Sequence, residues 1–214
     1  SHPLNNPWLN YSYYLSTSFL PGLLELMIFI MTVYAITHEI KSGSSMEWLR
    51  TARGDIWTAV IGKLLPQTLI FTVLAFGMVS MMFGWHHVPM NGSLPAMLLA
   101  AFLFVVACQS FAVIACAAVP NMRLALSICC LSGILAFSLA AFSFPVQSMY
   151  GAMGIFSYLL PVRYYFLIYI NVALNGLPVF FTRFNYVGLL VFPILAVALT
   201  PLMKRHLLKP GYVP

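Results

Sequence analysis

The chain has 214 residues, of which 62% are hydrophobic, 15% aromatic and only 7% charged, with a net charge of +6 and a mean hydropathy of +0.94. Soluble domains are roughly half apolar, and ten basic plus four acidic side chains are too few to coat a 23.8 kDa globule. The composition therefore excludes a soluble domain, and the scattered bases exclude a nucleic-acid-binding face, leaving a membrane protein.

Residues 1–18, which open "SHPLNNPWLNYSYYL", have no initiator Met and no basic region leading into an apolar core, so they are not a signal peptide. They are expected to be the end of a larger extracytoplasmic region, with a further span preceding Ser1. A helix needs about 20 apolar residues to cross about 30 Å of hydrocarbon. Five stretches qualify: Phe19–Thr37, Leu64–Phe83, Leu94–Val119, Leu124–Phe144 and Tyr186–Met203. Backbone groups in lipid must pair within their own segment, and no alternating barrel pattern occurs, so an all-α polytopic fold is expected. Residues 145–185 are apolar but broken by Pro145, Gly151, Gly154, Pro161, Gly176 and Pro178. They predict short re-entrant or interfacial helices, with a sixth span over Tyr164–Phe181 as the competing reading.

Three of the four acids fall in one short stretch between the first two spans, "HEIKSGSSMEWLRTARGDIW" at 38–57. Gly43 should end the preceding helix. Ser44, with Glu47 three residues on, has the spacing of a capping box. Met46, Leu49, Ile56 and Val60 recur near helical spacing, which predicts a short amphipathic helix on the membrane surface, broken at Gly54. Asp55 is placed to cap the next helix, and Lys63 to snorkel toward water. On spacing alone this is either a solvated loop with an interfacial helix or a docking helix.

Orientation follows from the bases. Lys41, Arg50, Arg53, Lys63, Arg123, Lys204, Arg205 and Lys209 fall on one side, and Arg163 and Arg183 on the other. This predicts an external N-terminal segment, a cytoplasmic 38–57 loop and a cytoplasmic tail from residue 204; the expected location of the multi-pass chain is a plasma (bacterial inner) membrane.

The stretch "HEIKSGSSMEWL" resembles the signature of permease subunits of type 2 ATP-binding-cassette (ABC) transporters: an acidic helix end followed by Gly, a hydroxyl residue, Glu and Leu. Glu39, Gly43, Ser44, Glu47 and Leu49 match it, with the gap from Gly43 to Glu47 one residue longer than the commonest form. "GKLLPQ" (62–67), "VPMNGSL" (88–94), "FSFPVQSM" (142–149) and "SYLLPVRYY" (157–165) resemble further family features in the same order, although Tyr150 stands where members often have Pro. The resemblance covers residues 19–203 and implies an additional N-terminal span.

It further implies that the 38–57 loop is a coupling helix seated on a separate ATPase subunit. Two ATPases would then drive two permeases between inward-open and outward-open states, exporting an amphipathic or lipid-linked substrate from the cytoplasm or inner leaflet. No G-x-x-x-x-G-K-[ST] phosphate loop occurs, so no cofactor is expected in this chain, and ATP and Mg would be held by the partner. Within the coupling helix, Glu47, Trp48 and Leu49 are the expected contacts, Trp48 as an aromatic anchor.

Glu25 is the most costly residue by position, an acid within the first span, and the resemblance assigns it no role. It either lines the substrate path or carries a proton, or it is a structural acid. Its proton-carrying form is the rival function, a proton-coupled secondary transporter, but the internal repeats expected of such folds are not visible. A membrane scaffold would leave the capped helix and its Trp unexplained. Cys108, Cys116, Cys129 and Cys130 lie in apolar runs and read as packed thiols. His86 and His87 share an external turn and lack a third metal ligand nearby. The glycosylation pattern at Asn10 and Asn91 says little without a known host.

Overall fold

In the computed structural model of the chain, residues 11–85, 88, 90–139 and 151–207 are described. They form helices α1 (Tyr11–Lys41), α2 (Ser45–Thr51), α3 (Ile56–Ser80, continued by a π-helical turn, Met81–Trp85), α4 (Leu94–Ala118), α5 (Met122–Leu139), α6 (Gly151–Ser157), α7 (Pro161–Ile168, continued by a π-helical turn, Tyr169–Leu174) and α8 (Val179–Leu207). The expectations at Asn10, His86, His87, Phe142–Met149, Tyr150 and the tail beyond Leu207 lie outside the described residues.

Among the described residues, four helices are long and apolar enough to span a bilayer: Thr17–Lys41, Ile56–Trp85, Leu94–Ala118 and Val179–Arg205. The fourth expected span appears as α5, 18 residues up to Leu139, about 27 Å at helical rise. Several boundaries differ from expectation. α1 and α3 run beyond their expected windows, to Lys41 and back to Ile56, because polar residues can continue α1 once it leaves hydrocarbon, whereas Ile56, Trp57, Ala59, Val60 and Ile61 are themselves apolar and the Asp55 cap sets the start of α3. α8 begins at Val179 rather than Tyr186 and passes through Pro193 and Pro201. Prolines are tolerated in membrane helices because neighbouring helices and Ser/Thr side chains can re-satisfy the freed carbonyls. The competing span over 164–181 does not form: Gly176, with φ +64°, turns the chain between α7 and α8.

α4 is the axle of the bundle and packs against α1, α3, α5, α7 and α8. Its sequence explains this role. Ala96, Ala100, Ala101, Ala107, Ala112, Ala115 and Ala117 are all buried, and such small side chains let backbones approach where no hydrophobic driving force operates between helices in lipid. Larger side chains fill the gaps: Phe104 stacks on Tyr165 of α7 at 4.9 Å, and Phe29 of α1 stacks on Phe111 at 4.8 Å. Cys108, Cys116 and Cys129 are buried in this packing. By contrast, α3 and α8 present exposed apolar rows, including Ile70, Val73, Phe184 and Ile194.

The turn entering α4 is tied to the turn leaving α7. The Asn91 backbone N–H donates to the Ala173 carbonyl at 2.8 Å, and the Asn91 side-chain amide donates to the Leu174 carbonyl at 2.7 Å. Gly92 lies so close that an added Cβ would stand 2.0 Å from the Val172 carbonyl oxygen. Gly92→Ala is therefore expected to cost about 2 kcal/mol, within the range of overpacked cores. Gly62→Ala, at a helical position with open space around it, should be neutral or stabilising. Thermal melting of the two variants in detergent checks the order, and equal melting temperatures would contradict the close approach.

Candidate functional site

The charged stretch between the first two spans folds into a bracket. α1 ends at Lys41, and Gly43, at φ +73°, reverses the chain in a left-handed conformation that glycine adopts without strain. α2 follows for seven residues, then Arg53 (φ +55°) and Gly54 (φ +78°) turn the chain again into α3. Asp55 caps α3 as expected: its carboxylate accepts from the Trp57 N–H at 3.3 Å and the Thr58 N–H at 3.1 Å, and from the Thr58 hydroxyl at 2.6 Å.

The centre of the bracket is Glu39. One carboxylate oxygen pairs with the Lys63 ammonium on α3 and the other accepts the Ser44 hydroxyl, while the Glu39 backbone carbonyl accepts from Ser45 Oγ at 3.0 Å. Lys63 Nζ also lies 4.9 Å from the Trp48 ring centroid, a cation–π contact. The end of α1, the start of α2 and the second turn of α3 thus meet on one acid and one base. Each of the pair is only about a fifth exposed, at 21% for Glu39 and 22% for Lys63, so the attraction is less screened than at an open surface. From the far end of the chain, Lys204 on α8 donates to the Gly54 carbonyl at 2.6 Å.

This geometry corrects the capping-box expectation. Ser44 stands at the N-cap position, and its carbonyl accepts from the Trp48 N–H. Its backbone, however, is at φ −84°, ψ 5° rather than extended, and its side chain makes no cap bond. The hydroxyl proton goes instead to Glu39. Glu47 is exposed, Leu49 is 4% exposed and belongs to the core, and Trp48 is half-buried against it. Of the six residues expected at this site, Glu39, Ser44 and Trp48 therefore converge with Lys63, Gly43 supplies the turn, Leu49 anchors α2 from beneath, and Glu47 faces away with Met46 and Arg50. Lys63 and Lys204 were not expected as parts of the bracket. Their only sequence signal was position at span ends, which reads equally well as snorkelling.

Glu25 occupies a separate place. It is fully buried on α1, and its Oε1 accepts from the Val162 N–H at 3.3 Å, at the first turn of α7. The acid thus supplies an acceptor at a helix start where Leu160 makes no side-chain cap. Next to it Arg163 is also buried, its Nη1 2.5 Å from Ser157 Oγ and its guanidinium 4.3 Å from the Tyr158 ring centroid. Elsewhere, a groove of about 450 Å³ lies between α3, α4 and α8, walled by Leu64, Phe102, Val106 and Val197. Its polar lining includes the Thr68–Gln109 hydrogen bond of 2.7 Å, which ties α3 to α4.

A family model described as "ABC-2 family transporter protein" matches residues 1–202. No curated protein and no solved structure matches the chain.

Two outcomes follow from the bracket. Glu39→Ala frees Lys63 and Ser44 together, so hydrogen exchange of the amides between Ser42 and Gly54 is expected to rise at least about tenfold, as for local opening eased by more than 1 kcal/mol. Exchange unchanged from the parent chain would show that the bracket does not depend on the pair. The second outcome concerns pH. The Thr58 hydroxyl, helped by the Thr58 and Trp57 N–H groups and the nearby Lys204 charge, holds Asp55 below its ordinary pKa of 3.8. A depressed folded pKa means that the cap's contribution is complete above about pH 3.8 and is lost as pH falls through the folded value. Asp55→Asn, which still caps but does not titrate, should flatten that part of the acid limb in detergent melts.

Proposed function

The chain belongs to the ABC-2 transporter family, and from that premise we propose that it is the permease of an ATP-driven exporter whose coupling helix is α2. As a family member it is a multi-pass membrane permease component that associates with an ATP-binding cassette subunit. ATP and its Mg would be bound and hydrolysed by that partner. Energy then enters through a protein contact, while one oxygen of the buried Glu25 carboxylate accepts from the start of α7.

The observation that carries the reading is the Glu39–Lys63 bracket. A coupling element must transmit displacement, and a seven-residue helix on flexible linkers would not. Here α2 is fastened to α1 through Glu39, to α3 through Lys63 and Trp48, and to the α8 end through Gly54 and Lys204. A push on α2 is thereby shared among three spanning helices. Met46, Glu47 and Arg50 remain exposed, and on another side of α2 a hollow of about 410 Å³ is lined by Trp48, Thr51, Thr58 and Lys63. A partner side chain entering that hollow would meet the open side of the Trp48 ring, the kind of aromatic anchor that dominates interfaces.

The remaining parts of the reading follow from chemistry on the same surfaces. The apolar rows on α3 and α8 suit bilayer lipid and a second permease subunit, and the groove between α3, α4 and α8 suits an amphipathic or lipid-linked cargo. The basic excess at the α2 end favours a cytoplasmic location for the bracket, with residues 1–18 outside.

Trp48→Ala in the reconstituted permease–ATPase complex is expected to leave membrane insertion intact and reduce substrate-stimulated ATP hydrolysis at least about tenfold, the scale of a hot-spot residue. Glu47→Gln tests the exposed face separately and should shift the salt dependence of ATPase binding. Full stimulation in the Trp48 variant would refute α2 as the coupling contact.

A further inference from the structure

On the side of α2 away from the Trp48 hollow, Met46, Leu49, Arg50, Arg53, Gly54 and Lys204 line a second, open concavity of about 310 Å³. We infer that it is a binding site for the phosphate of an anionic phospholipid, with Arg50 and Arg53 as the recognising groups and the apolar floor of Met46 and Leu49 beneath the glycerol and upper acyl chain. Three observations carry this. First, among the described residues neither guanidinium has a carboxylate within ion-pair distance, the Glu39–Lys63 pair being the one salt bridge. The nearby acid, Asp55, has its oxygens engaged by Thr58 and Trp57 at the α3 start. Second, Arg53 holds φ +55°, a left-handed conformation that costs a non-glycine residue energy and is often kept where a side chain must be aimed.

Third, the depth is right. Gly54 precedes the span that starts at Ile56, and Lys204 ends the span that closes at Arg205. Lys204 is fastened to the Gly54 carbonyl. The concavity therefore lies where two spans leave the hydrocarbon, at the level of lipid phosphates. Planar guanidinium forks match phosphate oxygens in pairs, and basic side chains at a membrane surface attract anionic lipid at about 1 kcal/mol each. A zwitterionic lipid brings its own ammonium and loses most of that attraction. A soluble phosphate would leave the Met46–Leu49 floor uncovered, so the lipid is favoured over a free anion. The site is independent of the coupling reading, because it needs only the membrane boundary and not an ATPase.

The test titrates the full-length permease in neutral detergent with phosphatidylglycerol, phosphatidylcholine or inorganic phosphate and follows the melting temperature. The variant is Arg50→Gln with Arg53→Asn, since Asn accepts the left-handed backbone. Phosphatidylglycerol should stabilise the parent chain at much lower concentration than phosphatidylcholine, and the double variant should lose about 30-fold in apparent affinity for it. Equal stabilisation by both lipids overturns the proposal, as does a shift that inorganic phosphate reproduces. If the double variant keeps its lipid preference but loses ATPase binding, the two arginines belong to the protein interface and the lipid site is refuted. Should the double variant fail to fold, Arg50→Gln alone, at an exposed position, carries the same comparison with an expected loss of about fivefold.

Discussion

The ion pair between Glu39 and Lys63 is the constraint that organises the non-membrane end of this protein. A chain with four acids in all places one of them at the end of α1, where its carboxylate satisfies a base on α3 and a hydroxyl on α2 together. Removing either partner would leave the other half-buried and uncompensated, which costs more than an exposed pair contributes. Glycines on both sides of α2 supply the reversals, so the short helix is held by side chains rather than by its own length. An isolated helix of seven residues would not persist in water.

The same logic recurs deeper in the bundle. α4 provides a narrow, alanine-lined axle, and polar contacts then fix what leans on it. Glu25 holds the first turn of α7, Asn91 holds the turn after it, and the Thr68–Gln109 bond joins α3 to α4. Tyr186 on α8 donates its hydroxyl to the Ala96 carbonyl at 3.0 Å. In a low-dielectric interior each such bond specifies position more than it adds stability. The broken segment between α5 and α8 is consequently seated on the bundle by an acid from α1, and its own arginine turns inward to Ser157 and Tyr158.

Much of this was legible in the amino-acid order. Spans, the α2 helix, the Gly43 and Gly54 breaks and the Asp55 cap follow from local rules of hydropathy, backbone freedom and hydrogen-bond spacing. The capping box was misread because the Ser44 hydroxyl has two partners to choose from: the Glu47 backbone N–H, three residues ahead, and the Glu39 carboxylate, five residues behind. Spacing favours the first, and the left-handed Gly43 delivers the hydroxyl to the second. Trp48 read as a free anchor, yet Lys63 covers part of it from a helix fifteen residues further on. The start of α8 was placed too late because Arg183 and Asn185 depress local hydropathy without interrupting the helix.

By itself, then, the sequence determined the solvent, the helical class, the approximate spans and the concentration of charge at one boundary, since each depends on composition or on neighbours within a few residues. Only the tertiary structure decided which acid meets which base, that Glu25 serves α7, and that Arg50, Arg53 and Lys204 face a common hollow. Those outcomes join residues up to about 150 positions apart, as Gly54 and Lys204 are. Local patterns carry no information about such pairings until the helices have packed.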